Sequence, residues 1–378
     1  MRQQSGSPDT GARMNIEHIE VFREPGRFAG WPANYGIWSW ENEIVLSFTL
    51  GHMDVDGGFH ARDKSTPFVT KQARSLNGGR TWDVGDPDLR APGGKGLSAD
   101  EHVEDIHKVG SALCGQDAPR PCPGGINFNH PDFALMCAKT GLSEGCSSFF
   151  YTSADRCQSW QGPYSLPMYD QTGIAARTDY LIDDQDTCTL FLTANKTNGK
   201  EGRVFAARSA NGGLSFNFLS FIGPEPPGYN IMPAHLRISE TDIIVAIRCC
   251  ERLETFQTSK HWIDLWKSTD NGNSWAHLNK PVEDTGSGGN PPTLTRLKDG
   301  RICLIYGYRA EPFNICARLS EDDGATWSNE IVLRSGGGNP DIGYPRTVQN
   351  ADGQVVTCYY WNDHPEGERY IGTTLWTP

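Results

Sequence analysis

Five short segments of the chain repeat one pattern of turn residues that ends in an aromatic residue. They read SLNGGRTW (residues 75–82), SADRCQSW (153–160), SANGGLSF (209–216), STDNGNSW (268–275) and SEDDGATW (320–327). Each Ser is followed two residues later by Asp or Asn, whose side chain accepts backbone N–H bonds inside a tight turn. Gly then supplies the positive φ angle that such a turn requires, although Cys157 takes its place in the second copy. The repeat predicts equivalent turns whose aromatic residues pack between sheets.

The spacing of these segments predicts the number of units in the fold. Successive serines are 78, 56, 59 and 52 residues apart, about 61 on average, so the 365 residues from Met14 onward hold about six units. Helical periodicity is absent, and six sheets around an axis hide their edges by radial repetition. The sixth unit has three strand-like runs, and the run IEHIEVF at 16–22 can supply its fourth. We therefore predict an all-β, six-bladed β-propeller with four-stranded antiparallel blades, closed by the N-terminal strand.

The domain boundaries follow from the same arithmetic. Residues 14–378 are predicted to form a single propeller domain, with an insertion rich in Gly and Pro at 83–131 within blade 2. Residues 1–13 lack the apolar core of a signal peptide, so they are predicted to be a disordered leader or an added remnant. The chain as given is predicted to be cytoplasmic, and the native protein is exported if this leader has replaced an export signal.

Composition excludes several classes of partner. The formal net charge of −12 and pI near 5.3 argue against nucleic acid and anionic membranes as partners. No apolar run approaches the 18 residues of a membrane span. Eleven cysteines occur without metal-ligand spacing, so no metal or cofactor is predicted. Four cysteines within strand-like runs are predicted to be buried thiols, namely Cys188, Cys303, Cys316 and Cys358. Cys114 and Cys122 flank a Pro/Gly loop and are the best candidates for a disulfide.

The repeated turn, the number of units and the closing strand resemble the sialidase (neuraminidase) superfamily, in which the turn is called the Asp-box or BNR repeat. The resemblance covers essentially the whole chain after Met14. It implies that the boxes join the third and fourth strands of each blade and share one face of the disc. The other loops at the ends of the strands then emerge on the opposite face, where a site on a rigid scaffold is expected. The box itself does not specify a function.

The resemblance implies that arginines on this face hold a substrate carboxylate. Arg27, Arg248 and Arg309 are similar in position to the three arginines of sialidases, and a guanidinium group can bind a carboxylate through two parallel hydrogen bonds. The usual Arg-Ile-Pro near the first arginine is RFAGWP here, at 27–32. Further candidates for contacts to a sugar, chosen as aromatic residues and hydrogen-bonding groups nearby, are Trp31, Asn34, Tyr35, Arg177, Asp179 and Tyr180.

The resemblance also implies a catalytic tyrosine and an aspartate. Tyr344, in DIGYPRTVQNADGQVVTCYY, occupies the place of the sialidase nucleophile, although Pro345 replaces the usual serine. A neutral phenol approaches an anomeric centre that bears a carboxylate with less repulsion than a carboxylate would, and such enzymes depart from the two-carboxylate rule. Asp63, twelve residues before Ser75, is the candidate acid/base, expected across the site from Tyr344. Competitors in the same loop are Asp54, Asp56 and His60.

One departure from the sialidase pattern concerns the glutamate that assists the tyrosine. Met232 stands where this glutamate is expected. A phenol with a pKa near 10 is a poor nucleophile at neutral pH without a base. We therefore expect another carboxylate at the hydroxyl group of Tyr344, either Glu225 in the preceding loop or Glu201.

These observations predict an exo-glycoside hydrolase that removes a terminal acidic sugar, sialic acid or a related ulosonic acid. Two alternatives stay open. One is a sialidase-fold enzyme for a different sugar, including a polysaccharide lyase that uses the tyrosine and a histidine, for which His52, His60 and His235 are candidates. The other is a propeller that binds glycans without turnover. The oligomeric state is not predicted.

Overall fold

The computed structural model describes residues 15–91, 96–97, 99, 119–251 and 259–378. Six antiparallel sheets form a six-bladed propeller, as the repeat predicts. Blade 1 contains β2 (Arg27–Gly30), β3 (Gly36–Trp40), β4 (Glu43–His52), β5 (Val69–Ser75) and β6 (Asp83–Gly85). Blade 2 contains β7 (Ala134–Lys139), β8 (Ser148–Ser153) and β9 (Gln161–Ser165). Blade 3 contains β10 (Tyr180–Ile182), β11 (Thr187–Asn195), β12 (Glu201–Ala210) and β13 (Asn217–Phe221).

The second half of the chain forms three blades of four strands each. Blade 4 contains β14 (Tyr229–Arg237), β15 (Ile243–Cys250), β16 (His261–Ser268) and β17 (Ala276–Val282). Blade 5 contains β18 (Thr293–Arg296), β19 (Ile302–Tyr308), β20 (Asn314–Ser320) and β21 (Ile331–Arg334). Blade 6 contains β22 (Gly343–Gln349), β23 (Val355–Trp361), β24 (Tyr370–Trp376) and, from the other end of the chain, β1 (Ile16–Phe22).

The ring closes as predicted, by pairing the first strand with the last. β1 runs antiparallel to β24, with Ile16 opposite Trp376 and Phe22 opposite Ile371. This pairing completes the strand order β1-β24-β23-β22 in blade 6. β1 and the C-terminal strand β24 therefore share one sheet, and β24 has a neighbour on both sides.

Two blades depart from the predicted count of four strands. In blade 1, β2 and β3 both pair with β4 and are separated by a 3-10 helix, Pro32–Asn34, because Trp31 adopts a left-handed conformation and Pro32 has no N–H for the ladder. In the described residues blade 2 has three strands. The predicted insertion begins too early, since β6 follows the first box directly and pairs with β5. Cys114 lies outside the described residues, so its pairing with Cys122 remains a prediction.

The same two hydrogen bonds recur in each of the five boxes. In the fourth box, the Ser268 hydroxyl accepts the N–H of Gly272 at 2.8 Å, and Asp270 accepts the N–H of Ser274 at 2.9 Å. The same two bonds occur in the other four boxes at 2.8–3.1 Å. Cys157 adopts φ 62° in place of the usual glycine, so the degenerate copy keeps the turn.

The core is divided among the six blade interfaces. One buried cluster lies between each pair of adjacent blades, for example Phe191 and Leu181 of blade 3 against Ile243 and Val245 of blade 4. Cysteines contribute to these clusters, and the four predicted buried thiols are all buried. In the part of the chain that the structure describes, no helix is long and apolar enough to cross a membrane.

A box serine should matter more than its exposed neighbour. Ser268→Ala should lower the free energy of unfolding by about 1–3 kcal/mol, because it leaves the buried N–H of Gly272 without its acceptor. Ser274→Ala removes an exposed hydroxyl from the same box and serves as the matched control, with an expected cost under about 1 kcal/mol. Chemical denaturation of the two variants checks this, and equal losses would contradict it.

The closing strand should be essential to stability. Removing the chain through Arg23 deletes β1 and exposes the backbone edge of β24, so we expect a strongly lowered melting temperature or aggregation. Removing the chain only through Met14 leaves β1 in place and is the control. Calorimetry of the two truncated proteins measures the difference, and similar melting temperatures would refute the role of this strand in closure.

Candidate active site

Tyr344 lies at the start of the innermost strand of blade 6, on the face opposite the boxes. Its backbone is left-handed, with φ 51°, and the register of β22 against β23 shifts between Gly343 and Arg346. Pro345 suits this irregularity, since it has no N–H to place in the ladder. The N–H of Tyr344 donates instead to the Asn290 side chain at 2.9 Å. A left-handed tyrosine costs about 1–3 kcal/mol, and such strain is typical of functional sites.

Two arginines flank the Tyr344 ring. Arg248 lies near the end of β15 and Arg309 directly follows β19, so both second strands deliver a guanidinium group to this face. Arg248 donates to the Tyr344 hydroxyl at 3.0 Å and to the carbonyl of Gly288. Arg309 donates to two backbone carbonyls at 3.0 Å and to the Tyr360 hydroxyl at 2.6 Å. The guanidinium carbons lie 5.7 and 5.4 Å from the centre of the Tyr344 ring.

The positive charges of these arginines are buried without a matching negative charge. Arg248 is 3% exposed and Arg309 is 1% exposed. Among the described residues neither forms an ion pair with a carboxylate, and their acceptors are carbonyls and phenols. Buried charges are normally paired, because transfer from water is costly. An anion bound beside Arg248 and Arg309 would neutralise their positive charges.

A third arginine reaches Tyr344 from blade 3. Burial alone would raise the pKa of Tyr344, but the charges of Arg248, Arg309 and Arg177 outweigh it and hold the pKa below its usual value. Arg177 binds the carboxylate of Glu201 and the side-chain oxygen of Asn34, the latter at 3.2 Å. Glu201 thus contacts Arg177 rather than the phenol. We call Tyr344, Arg177, Arg248 and Arg309 the Tyr344 cluster.

The carboxylate expected at the Tyr344 hydroxyl is absent from the described residues, where Arg248 is the hydrogen-bond partner of that hydroxyl. Glu225 instead accepts hydrogen bonds from the backbone and hydroxyl of Thr197, the latter at 2.7 Å, because it belongs to a surface loop facing the neighbouring turn. This corrects the expected contact. Met232 belongs to the apolar cluster against which Tyr344 packs, and its sulfur lies 3.6 Å from Arg248. A thioether thus occupies the position where the sialidase pattern has a glutamate.

Two other predicted residues have different surroundings from those expected. Arg27 donates to the carbonyl of Gly51 at 2.8 Å and lies 3.6 Å from Glu24, and no contact with the Tyr344 cluster occurs in the described residues. Trp31 is 1% exposed and packs against Phe28 and His60, with ring centres 4.6 and 5.2 Å apart. Trp31 therefore supports the site from within the core and does not present a face on which a sugar could stack.

The loop of blade 1 offers His60 rather than Asp63 to the centre of the site. Asp63 is bound within its own loop by the N–H and hydroxyl of Ser65, at 2.8 and 2.6 Å, which lower the pKa of its carboxyl group. The Nδ1 atom of His60 lies 2.8 Å from the carboxylate of Asp341, which also accepts the Tyr360 hydroxyl at 2.6 Å. Tyr360 also contacts Arg309, so His60 is connected to the Tyr344 cluster through Asp341 and Tyr360.

Asp179 faces the axis of the propeller. Its carboxylate lies 2.8 Å from Nδ1 of His235, next to a cavity of about 280 Å³ lined by the innermost strands. Arg346 lines the same cavity and donates to the carbonyls of Ala33 and Thr178. Asp179 and Arg177 therefore belong to different parts of the centre, although they are two residues apart.

Several residues of the site carried no recognisable signal in the sequence. Asp341 and Tyr360 link His60 to Arg309, and Asn290 holds the backbone of Tyr344. Asp341 precedes Tyr344 by three residues in the stretch DIGY, and this proximity is the one sequence signal that points to it. His261 is buried, and burial together with the charges of Arg248 and Arg309 lowers its pKa to about 4, so it is neutral.

The fold is a six-bladed propeller built from BNR repeats, and it is shared with sialidases. The chain belongs to the family of BNR repeat-like domains, whose model matches residues 133–357. No curated protein matches the chain. The resemblance drawn from the boxes is thus confirmed at the level of fold and family.

Solved structures share this architecture at low sequence identity. A protein of unknown function from Dyadobacter fermentans DSM 18053 is 19% identical, with a TM-score of 0.67 over 96% of this chain and 99% of that chain. The Hadza microbial sialidase Hz136 is 12% identical, with a TM-score of 0.58 over 92% of this chain and 65% of that chain. An α-L-arabinofuranosidase from Fusarium graminearum is 11% identical, with a TM-score of 0.52 over 95% and 97%. At these identities the similarity establishes the fold.

The charge of Arg248 should be measurable through the ionisation of Tyr344. In the difference between the wild-type protein and Tyr344→Phe, ultraviolet absorbance should report a phenolate that forms at lower pH than an ordinary tyrosine. Arg248→Met removes a positive charge that favours the phenolate, so the titration should move to higher pH. A titration unchanged by this substitution would show that the arginine does not control the ionisation.

Proposed function

We propose that the protein is a glycosidase that releases a terminal acidic sugar, sialic acid or a related ulosonic acid, from a glycan. The observation that carries this proposal is the pair of buried guanidinium groups, Arg248 and Arg309, that lack a carboxylate partner in the described residues. A sugar carboxylate placed between them would supply the missing negative charge and could accept charge-assisted hydrogen bonds. Similar folds in a sialidase and an arabinofuranosidase are consistent with action on sugars.

Tyr344 is the proposed nucleophile. It lies between the two arginines, so its hydroxyl would be close to the anomeric carbon of a sugar whose carboxylate they bind. In the protein without bound sugar the arginines also lower its pKa, by favouring the charged phenolate. Arg27 and Glu225, predicted from the sequence for binding and catalysis, have weaker support because neither contacts the Tyr344 cluster in the described residues.

A second candidate function is supported by a different observation. No carboxylate contacts the Tyr344 hydroxyl in the described part of the chain, whereas a histidine stands near the cluster. An acidic polysaccharide could be cleaved by β-elimination, with the arginines neutralising a uronate carboxylate and the tyrosine and histidine moving protons. Product analysis separates the two reactions, because elimination leaves an unsaturated uronate that absorbs in the near ultraviolet. Binding of acidic sugars without any turnover would instead indicate a glycan-binding propeller.

The proposal is tested first by a panel of substrates. Chromogenic glycosides of N-acetylneuraminic acid, ketodeoxynononic acid and glucuronic acid should be compared with neutral galactosides and arabinofuranosides. We expect cleavage confined to glycosides that carry a carboxylate. Cleavage confined to neutral sugars would contradict the anion site.

The arginine and the tyrosine should separate binding from turnover. Arg309→Met should weaken binding of the acidic sugar about 10- to 100-fold, corresponding to the 1.5–3 kcal/mol of a hydrogen bond to a charged group. Tyr344→Phe should retain most of the affinity while losing nearly all turnover. Isothermal titration and product release measure the two effects. Arg301→Met is the matched control, because Arg301 precedes the same strand, β19, at its opposite end and pairs with Asp299.

A further inference from the structure

We propose that His60 is the acid/base residue of this site and that Asp341 is its positioning residue. The proposal rests on the proposed function, since it assigns the proton transfer that such a cleavage requires. It replaces the aspartate expected from the resemblance, Asp63, with a histidine three residues earlier in the same loop.

The first argument is the fixed orientation of the His60 ring. Its Nδ1 atom lies 2.8 Å from Oδ1 of Asp341, whose side chain is completely buried. The ring makes edge contacts with Trp31 and Phe59, at 5.2 and 4.9 Å between ring centres. A carboxylate at one nitrogen sets the tautomer of an imidazole, so Nδ1 carries the proton and Nε2 is left for chemistry. No hydrogen bond to Nε2 occurs in the described residues, and the side chain is 20% exposed.

The second argument is that Asp341 is held as a permanent anion. Oδ2 of Asp341 accepts a hydrogen bond from Arg369 at 3.0 Å, and Oδ1 accepts the Tyr360 hydroxyl at 2.6 Å. Burial alone would raise the pKa of Asp341, but His60 and the positive charge of Arg369 hold it far below its usual value. The carboxylate therefore stays charged while the histidine gains and loses a proton, as an orienting group must.

The third argument is position relative to the Tyr344 cluster. The Phe59 ring covers the guanidinium group of Arg309, with 5.3 Å from the guanidinium carbon to the ring centre. Tyr360 bridges Arg309 and Asp341, and its ring lies 5.9 Å from that of Tyr344. His60 is linked to Arg309 through Asp341 and Tyr360, whereas Tyr344 lies directly beside Arg309, and the described residues show no contact between His60 and Tyr344. An acid and a nucleophile that act on opposite sides of a sugar ring require this separation.

The reaction balances with these groups. In the first step Nε2 of the imidazolium gives its proton to the glycosidic oxygen, the bond from that oxygen to the anomeric carbon breaks, and the Tyr344 oxygen bonds to the carbon as its own proton leaves to solvent. In the second step Nε2 takes a proton from water, the water oxygen bonds to the anomeric carbon, and the bond to Tyr344 breaks with its electron pair left on the phenolate oxygen. The phenolate then takes up a proton from solvent, which replaces the one released in the first step. The net change is hydrolysis, and no oxidant or metal is involved.

The charges around His60 favour this cycle once substrate is bound. The groups facing it are Asp341, which raises its pKa, and Arg309 and Arg62, which lower it; burial lowers it most, and the pKa lies below the usual value. A sugar carboxylate bound to Arg309 would offset one of the lowering charges. The histidine should therefore become easier to protonate when the anion arrives, which supplies the acid for the first step.

The decisive experiment compares leaving groups. His60→Gln should lower turnover of 3′-sialyllactose, whose leaving alcohol needs protonation, at least about 100-fold, and should affect 4-methylumbelliferyl N-acetylneuraminide much less, because its phenol leaves without help. A merely structural role would lower both rates equally, and equal losses would overturn the assignment. His364→Gln, on an exposed histidine outside the site, is the control and should leave both rates unchanged.

Two further arms identify the alternative residues. A loss in Asp63→Asn that depends on the leaving group, with full activity in His60→Gln, would overturn the proposal in favour of the aspartate. Asp341→Asn removes the negative charge beside His60, so the alkaline limb of the kcat profile should move to lower pH; an unmoved limb with lowered activity would mean that Asp341 serves only the fold. Tryptophan fluorescence and melting temperature check that this variant is folded.

Nuclear magnetic resonance provides a readout that does not require turnover. The nitrogen shifts of His60, assigned by their loss in His60→Gln, should show a proton on Nδ1 and none on Nε2 at neutral pH. Free N-acetylneuraminic acid should raise the pKa of His60. A proton on Nε2 would overturn the pair. If the wild-type protein neither binds nor cleaves any acidic sugar, the proposed function fails and this assignment fails with it, whereas binding that leaves the His60 signals unchanged refutes the assignment alone.

Discussion

The closure of the ring by β1 and β24 is the constraint on which the candidate site depends. The groups that meet near Tyr344 come from five blades, since His60 belongs to blade 1, Arg177 precedes blade 3, and Arg248, Arg309 and Tyr344 belong to blades 4, 5 and 6. None of these is close to another along the chain. Their distances are set by how the six interface clusters stack the blades, and this stacking has a defined end only when the last sheet receives its fourth strand from the N-terminus. The relative positions of all the site residues therefore depend on the pairing of β1 with β24.

The electrostatics of the centre run against those of the whole molecule. The chain carries a formal net charge of −12, yet Arg248 and Arg309 are buried at the centre without carboxylate partners among the described residues. The nearby carboxylates form ion pairs with other arginines, since Glu201 binds Arg177 and Asp341 binds Arg369. An anion that approaches this protein meets a molecule of negative net charge, whereas Arg248 and Arg309 offer positive charge beside Tyr344. Such an arrangement favours selection of a carboxylate by position rather than by general attraction.

The boxes made the fold predictable because each is a local turn whose chemistry does not depend on the rest of the chain. The placement of Arg248, Arg309 and Tyr344 on one face was predictable as well, since each stands at the end or start of an apolar strand, and the order of strands in a blade decides on which face that end emerges. The contact of Arg248 with Tyr344 joins blades 4 and 6, and the resemblance, rather than any periodicity, pointed to it.

The remaining parts of the site depend on side-chain directions in loops and at the ends of strands, which no sequence period predicts. Arg27 turns toward the carbonyl of Gly51, while Arg177 takes a position near Tyr344. Trp31 is buried because its left-handed backbone turns the ring toward Phe28. The link from His60 through Asp341 joins a loop of blade 1 to the loop before blade 6, and nothing in either segment alone indicates the other. The early start of the predicted insertion has the same origin, because β6 has only three residues and too little pattern to recognise.

The methionine in place of a glutamate bears on which cleavage chemistry the site favours. A glutamate beside Tyr344 would accept the phenolic proton, whereas Met232 cannot, and the arginines lower the pKa of the phenol only while their charge is not offset. A bound carboxylate would offset that charge and raise the pKa of Tyr344 and of His60 together. The loaded site would then hold a neutral phenol beside the anion and an imidazolium near the leaving oxygen. Elimination requires a deprotonated base, such as a phenolate or a neutral imidazole, while hydrolysis begins with a protonated acid. Under the proposed function, the bound carboxylate itself therefore moves the site toward hydrolysis.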